Sequence, residues 1–75
     1  MVKFQANSIL QVIRMIAEVT HTKKNLQLKD VLREIRNQDE GDSFDYIGFD
    51  NDGREYDCTV RACYYKGHGW FIEIE

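Results

Sequence analysis

Two cysteines and two histidines are the side chains of this chain that are best suited to bind a metal ion or to act as a nucleophile. Four residues separate Cys58 from Cys63, and four separate Cys63 from His68, a spacing unlike the short ligand pairs of a zinc finger. Cys63 could pair with His68 or His21 as nucleophile and base, but nothing in the sequence supplies an oxyanion hole or a third orienting group. We therefore expect no metal site, no cofactor and no enzymatic activity.

The stretch Asp-Asn-Asp-Gly at positions 50–53 is similar to the start of a calcium-binding loop. Such a loop needs a bidentate Glu at its twelfth position, which is Arg61 in this chain. An Asp-Gly pair between two alternating apolar runs is also a strong signal for a β-hairpin. We therefore assign the stretch to a hairpin turn.

The two cysteines lie in Glu55–Tyr65, where side chains alternate as on a half-buried strand. Their spacing of five predicts that the thiols of Cys58 and Cys63 face opposite sides of the strand and remain free. Free thiols favour a reducing compartment, and the sequence has neither a signal peptide nor a long apolar run. We expect one domain, residues 1–75, in the cytoplasm.

The same alternating stretch predicts the central strand of a sheet. A two-residue turn at Asp52-Gly53 would pair Ile47 with Cys58, and a five-residue loop after Tyr64 would pair that residue with Trp70. The two hairpins then share one apolar face that is expected to form the core, made of Ile47, Phe49, Tyr56, Cys58, Val60, Ala62, Tyr64, Trp70, Ile72 and Ile74.

Two stretches before the sheet have apolar residues at helical spacing. The first begins with a capping box, Ser8 and Gln11, and its apolar stripe consists of Ile9, Leu10, Val12, Ile13, Met15 and Ile16. The second has the stripe Leu28, Val31, Leu32 and Ile35 and is expected to end with Asn37 as a left-handed cap. The predicted fold is α+β, with two helices packed on one face of a three-stranded antiparallel β-meander and with residues 2–5 as a candidate for a short N-terminal edge strand.

Charge is unevenly distributed along the chain. Residues 1–37 contain seven Lys or Arg and three Asp or Glu, whereas residues 38–75 contain three and ten. Such an acidic run can be an ordinary solvated surface, or it can dock on a basic site, including one built for nucleic-acid phosphates. We predict that a partner binds the eight acidic residues Asp39, Glu40, Asp42, Asp45, Asp50, Asp52, Glu55 and Asp57.

Two other surfaces remain as alternatives. The sheet face away from the helices is expected to expose Phe44, Tyr46, Arg61 and Phe71, which could contact a protein partner or a second copy of the chain in an oligomer. A basic patch of Lys23, Lys24, Arg33 and Arg36 could instead make the protein a small nucleic-acid-binding regulator, although the acidic pI of about 5.3 disfavours this role.

The run VLREIRNQDE at positions 31–40, followed by NDGREY at 51–56, resembles small acidic phage-encoded anti-CRISPR proteins that inhibit Cas9. The resemblance implies a helix that leads into a three-stranded antiparallel sheet. It also implies inhibition by carboxylates that occupy the surface with which the enzyme reads the PAM sequence. In this chain that role would fall on Asp50, Asp52, Glu55 and Asp57.

Taken together, the sequence favours a small non-enzymatic protein-binding module. We expect an inhibitor from a phage or another mobile element, whose acidic surface docks on the basic nucleic-acid-binding site of a host enzyme such as a nuclease. We expect no membrane partner and no direct binding of nucleic acid, and a homodimer is compatible with the sequence.

Overall fold

The computed structural model describes residues 1–39 and 41–75, which form an antiparallel sheet and two helices. The elements in chain order are β1 (Val2–Ala6), α1 (Ile9–Thr20), α2 (Leu28–Gln38), β2 (Gly41–Phe49), β3 (Glu55–Tyr65) and β4 (Gly69–Ile74). The strands lie in the order β1-β4-β3-β2, so β2, β3 and β4 form a meander and β1 pairs with β4. The predicted α+β class is confirmed, and the candidate edge strand is a full member of a four-stranded sheet.

The start of α1 is fixed by side-chain hydrogen bonds. Ser8 Oγ accepts from the Gln11 backbone N–H at 3.1 Å, as the capping box predicts. The reciprocal bond goes one residue further back, because Gln11 Oε1 accepts from the backbone N–H of Asn7 at 2.8 Å. The helix buries Val12, Ile13, Ile16, Ala17 and Thr20, whereas the predicted core residue Leu10 is 59% exposed.

The second helix continues beyond the predicted cap. Asn37 is helical, and Asp39 adopts the left-handed conformation that ends α2, with φ of 56°. The Oδ1 atom of Asp39 accepts from the backbone N–H of Lys66 at 3.2 Å, which ties the helix end to the β3–β4 loop. Leu28, Leu32 and Ile35 are buried as predicted, while Val31 is 38% exposed at the margin of the stripe.

The register between β3 and β4 is the predicted one. Val60 lies opposite Ile74, Ala62 opposite Ile72 and Tyr64 opposite Trp70. The indole of Trp70 is almost completely buried, and its centroid lies 5.1 Å from that of the Tyr64 ring at a tilt of 54°. These side chains form the central part of the core beneath the helices.

The predicted register between β2 and β3 is wrong by one residue. Tyr46, rather than Ile47, lies opposite Cys58, and Gly48 lies opposite Tyr56. The predicted type I′ turn needs positive φ at both Asp52 and Gly53, but only Gly53 has it, at 78°.

The observed connection is a three-residue loop, closed by hydrogen bonds from Asp50 N–H to the Arg54 carbonyl and from Gly53 N–H to the Asp50 carbonyl. The carboxylate of Asp50 stabilises this loop. Its Oδ1 atom accepts from the backbone N–H groups of Asp52, at 2.9 Å, and Arg54, at 2.8 Å. The observed loop, residues 51–53, therefore has one residue more outside the ladder than the predicted two-residue turn.

The one-residue shift exchanges the two faces of β2. Tyr46 is 1% exposed and Phe44 packs against the core, so the prediction that both lie on the outer face is wrong. Ile47 and Phe49, predicted to be core residues, are 50% and 53% exposed. The physical reason is the two-residue period of a strand, which moves every side chain to the other face when the register slips by one.

A chain of hydroxyl groups holds Tyr46 under the end of α1. Thr20 Oγ1 donates to the Ile16 carbonyl at 2.7 Å, so it accepts from Thr22 Oγ1, also at 2.7 Å. The hydroxyl of Thr22 has then used its proton and must accept from Tyr46 Oη, at 2.9 Å. Gly48 leaves room for this arrangement, because a Cβ atom there would lie 2.8 Å from Tyr46 Oη and 2.9 Å from Thr22 Cγ2.

We predict that Tyr46→Phe lowers the free energy of unfolding by about 1 kcal/mol, because it removes the donor at the end of this buried chain. Tyr56→Phe is the matched control, since that ring lies on the same sheet but is 39% exposed, and it should change stability by less than about 0.5 kcal/mol. Urea denaturation measures both variants. Equal losses in the two variants would contradict the role assigned to Tyr46.

Candidate protein-binding face of the sheet

Among residues 1–39 and 41–75, no helix packs against one face of the sheet, and we call it the open face. Because side chains alternate along each strand, the open face receives the odd-numbered residues of all four strands. Three regions follow one another along the open face. The first combines acidic and apolar side chains, the second carries charges of both signs, and the third is aromatic.

The first region lies on the β2–β3 hairpin, and we call it the hairpin patch: Asp45, Ile47, Phe49, Glu55 and Asp57. In the register, Ile47 lies opposite Asp57 and Phe49 opposite Glu55, so each exposed apolar side chain faces a carboxylate. Asp45 lies opposite Thr59 and is the diagonal neighbour of Asp57. Three negative charges thus lie next to two exposed apolar groups on the open face, and Lys23 and Lys24 line a groove with the same two groups at the edge of the sheet.

The middle of the open face carries charges of both signs. Lys3 Nζ lies 3.8 Å from Glu73 Oε1, and both side chains are partly solvated, so the ion pair adds little stability. Arg61 lies opposite Glu73 on the neighbouring strand. Arg61 is thus on the open face, as predicted, within a region where positive and negative charges offset each other.

The third region is an aromatic pair at the other end of the open face. The rings of Tyr65 and Phe71 meet edge to face, with centroids 5.4 Å apart, and are 54% and 36% exposed. They line a shallow open groove of about 630 Å³ together with Gln5 and Cys63. Phe71 therefore lies on the open face, as predicted.

The structure places the described members of the predicted acidic set in different parts of the fold. Asp45, Glu55 and Asp57 lie in the hairpin patch. Asp39 caps α2. The Oδ1 atom of Asp50 accepts two backbone hydrogen bonds, from Asp52 and Arg54, and so stabilises the turn.

Two further residues of the acidic set, Asp42 and Asp52, lie elsewhere. Asp42 is on the helix side of β2, where its Oδ1 atom accepts from the Ser43 backbone N–H at 2.8 Å. Asp52 is exposed in the turn, and Glu40 lies outside the described residues.

Sequence reasoning missed Ile47 and Phe49 as surface residues because it assigned them to the core. The signal that could have placed them is the run from Asp50 to Gly53. Asp is favoured at the first position of a type I turn, and Gly is favoured three residues later in a left-handed conformation. A three-residue loop of this kind shifts the register by one and moves both side chains to the open face.

The basic residues of the alternative nucleic-acid surface lie on different elements. Arg33 and Arg36 are on α2, where Arg33 Nη1 lies 3.9 Å from Asp30 Oδ1. Lys23 and Lys24 are in the connection between the helices, beside β2. The carboxylate of Asp30 thus offsets part of the positive charge on α2.

The two cysteines have different surroundings. Cys58 is buried on the helix side and Cys63 is half-buried on the open face, so the prediction of free thiols on opposite faces is confirmed. Burial raises the pKa of the Cys58 thiol, and the neighbouring carboxylate of Asp57 raises that pKa further. A thiol that holds its proton in this way is a poor nucleophile.

Among residues 1–39 and 41–75, no three His, Cys, Asp or Glu side chains come close enough together to hold a metal ion. Neither helix there reaches the length and apolar content that crossing a lipid bilayer requires. The expectation that the protein has no cofactor stays a prediction.

We predict that an aromatic disulfide reagent modifies Cys63 in the folded protein and reaches Cys58 only after unfolding, because burial and a raised pKa withhold the Cys58 thiolate. The rate of thiolate release measures this. Cys58→Ser should keep the reaction of the native protein, and Cys63→Ser should lose it. Fast modification of Cys58 in Cys63→Ser would contradict the assignment.

Comparison of the chain with protein-family models, with curated proteins and with solved structures gave no match. The hairpin patch and its surroundings are therefore the basis for inferring a function.

Proposed function

We propose that the protein is a non-enzymatic protein-binding module of the cytoplasm whose hairpin patch docks on the basic site of a nucleic-acid-handling enzyme. The observation that carries this proposal is that Asp45, Glu55 and Asp57 lie next to the exposed side chains of Ile47 and Phe49 on the open face. An acidic surface alone is commonly just solvated, but exposed large apolar groups inside it indicate a contact surface.

The two kinds of side chain contribute in different ways to such a contact. Burial of an exposed Ile or Phe side chain stabilises a complex by up to about 1.5–3 kcal/mol each. Carboxylates at the rim of an interface mainly accelerate association with a positively charged partner and exclude negatively charged ones. The patch is therefore suited to a partner whose surface offers Lys or Arg beside an apolar depression.

A site that normally binds nucleic-acid phosphates has this chemistry, and occupation of such a site would inhibit the enzyme. This is the mode of action that the resemblance to anti-CRISPR proteins implies. Of the two similar runs, residues 51–56 lie in the β2–β3 turn next to the patch, whereas residues 31–40 lie mostly in α2. We accordingly propose an inhibitor from a phage or another mobile element, with the carboxylates of Glu55 and Asp57, but not the turn-forming Asp50, as contact groups.

The aromatic pair on the open face supports a second candidate function, an oligomerising or structural protein. Tyr65 and Phe71 are both partly exposed and border a groove, which is the arrangement of a small contact surface. Phe71→Ala should weaken self-association in that case, whereas Phe49→Ala should weaken binding to a basic partner. Comparison of these two matched variants distinguishes the candidates.

We predict that the triple variant Asp45→Asn, Glu55→Gln, Asp57→Asn binds its partner at least about tenfold more weakly than the native protein at low salt. The variant should also show a weaker dependence of affinity on salt, because fewer charge contacts are made. None of the three side chains has a hydrogen bond or an ion pair within the described residues, so the fold should be retained.

A Cas9–guide-RNA complex is the first partner to test, by inhibition of DNA cleavage and by direct binding at low and high salt. A bacterial lysate passed over the immobilised protein extends the search to other enzymes. The control is Glu18→Gln, Asp30→Asn, which removes two negative charges from helix residues that line no groove beside β2. Equal weakening by the control, or unchanged affinity of the patch variant, would contradict the proposal.

A further inference from the structure

The outer edge of β2 has unpaired backbone groups. β2 is the last strand of the sheet and, within the described residues, pairs only with β3. In an antiparallel pair, the backbone of every second residue hydrogen-bonds to the neighbouring strand. Because Asp50 N–H donates to the Arg54 carbonyl, it is the even-numbered residues of β2 that hydrogen-bond to β3. The backbone groups of Asp45 and Ile47 therefore point away from the sheet.

Two hydrogen bonds at the ends of this edge agree with that assignment. The outward carbonyl of Phe49 accepts from the backbone N–H of Lys23 at 3.2 Å. The outward N–H of Ser43 donates to the carboxylate of Asp42 at 2.8 Å. Between them, the outward groups of Asp45 and Ile47 have no protein partner among residues 1–39 and 41–75.

Exposed apolar side chains lie on both sides of this edge. On the helix side, Leu26 is 55% exposed and lines an open groove of about 500 Å³ with Ile47 and Phe49. Further along, Val31 lines a second groove with Gly41 and Asp42. A strand added to β2 would thus cover apolar groups in addition to pairing its backbone.

The charge of the edge indicates what kind of strand would bind. β2 carries Asp42 and Asp45 and no Lys or Arg, and Glu34 lies beside its first residues, whereas Lys23 and Lys24 lie beside its last residues, where Lys23 closes the edge. A second copy of β2 would bring like charges together across the new pair, which is destabilising. A strand with Lys or Arg opposite Asp45 would instead form favourable cross-strand pairs.

We propose that the β2 edge, centred on Asp45 and Ile47, binds an extended segment of a partner protein in which basic and apolar residues alternate. The segment would continue the sheet as a fifth strand until it meets Lys23, which closes the edge at Phe49. This inference rests on the proposed function and adds to it the way in which the basic partner is held, through backbone hydrogen bonds next to the hairpin patch.

The other edge of the sheet provides an internal comparison. The hydrogen bonds between Thr59 and Glu75 show that the odd-numbered residues of β4 hydrogen-bond to β3, so its even-numbered residues hydrogen-bond to β1. Their partners on β1 are also even-numbered, so the backbone groups of Lys3 and Gln5 point away from the sheet. That edge carries a lysine and no acid. It should not select a basic strand.

The test uses the full ¹⁵N-labelled protein and a synthetic capped hexapeptide of alternating Lys and Val at millimolar concentration. The amide signals of residues 43–47 should shift, and the amide hydrogens of Asp45 and Ile47, which exchange rapidly without peptide, should exchange about tenfold more slowly with it. A hexapeptide of alternating Glu and Val should have no effect.

Three variants separate the backbone contribution from the side chains. Ile47→Pro removes the outward N–H without loss of a bond to β3, and it should weaken peptide binding at least about tenfold. Ile47→Ala keeps that N–H and should bind more tightly than Ile47→Pro. Gln5→Pro introduces the same change on the β1 edge and should bind as the native protein does.

The following outcomes would contradict binding of a strand at the β2 edge. Shifts confined to Glu55 and Asp57, lost in Asp57→Asn but not in Ile47→Pro, would overturn strand addition and leave the proposed function standing. Shifts on Lys3 and Gln5, or no shift at all, would also overturn it. The exchange measurement on the native protein decides the question even if Ile47→Pro fails to fold.

Discussion

The hydroxyl of Tyr46 lies at the end of a hydrogen-bond chain that passes through Thr22 and Thr20 to the carbonyl of Ile16. This chain fixes one residue of β2 under the helices. Because a strand has a two-residue period, it thereby fixes the face on which every other residue of β2 lies. The core, the open face and the unpaired edge all depend on that choice.

The turn after β2 supports the same register from the other end. The carboxylate of Asp50 binds two backbone N–H groups of the loop, and Gly53 supplies the left-handed conformation that closes it. Asp50 therefore has a structural role, although it belongs to the acidic run that suggested a binding surface. The hydrogen bonds of the turn and the hydroxyl chain of Tyr46 favour the same pairing of β2 with β3. Agreement between independent interactions of this kind specifies a single register.

The helices, the central strand and the β3–β4 register could be predicted from the sequence, because apolar periodicity and the Ser8 capping box are local signals. The β2 register could not be predicted in the same way. Tyr46 and Ile47 are both apolar enough for the core, and the distinction depends on a hydroxyl partner, Thr22, that is 24 residues away. Asp-Gly also suggested a shorter turn than the one that Asp50 stabilises.

The candidate site follows from that correction. The sequence analysis identified the acidic charge but placed Ile47 and Phe49 in the core, so it did not predict a surface that combines charge with apolar contact. Of the eight acids, those on the open face remain available to a partner, while Asp39 and Asp50 bind backbone groups of the chain itself. A run of acidic residues in a sequence thus contains some residues that stabilise the fold and others that are available to a partner.

The register of β2 can be measured directly by nuclear Overhauser effects between Hα protons, which approach closely across the non-hydrogen-bonded pairs of an antiparallel sheet. The structure predicts strong cross-peaks between Ile47 and Asp57 and between Asp45 and Thr59. A cross-peak between the Hα protons of Ile47 and Cys58 would contradict this register. It would return Ile47 to the core and remove both the hairpin patch and the edge described above.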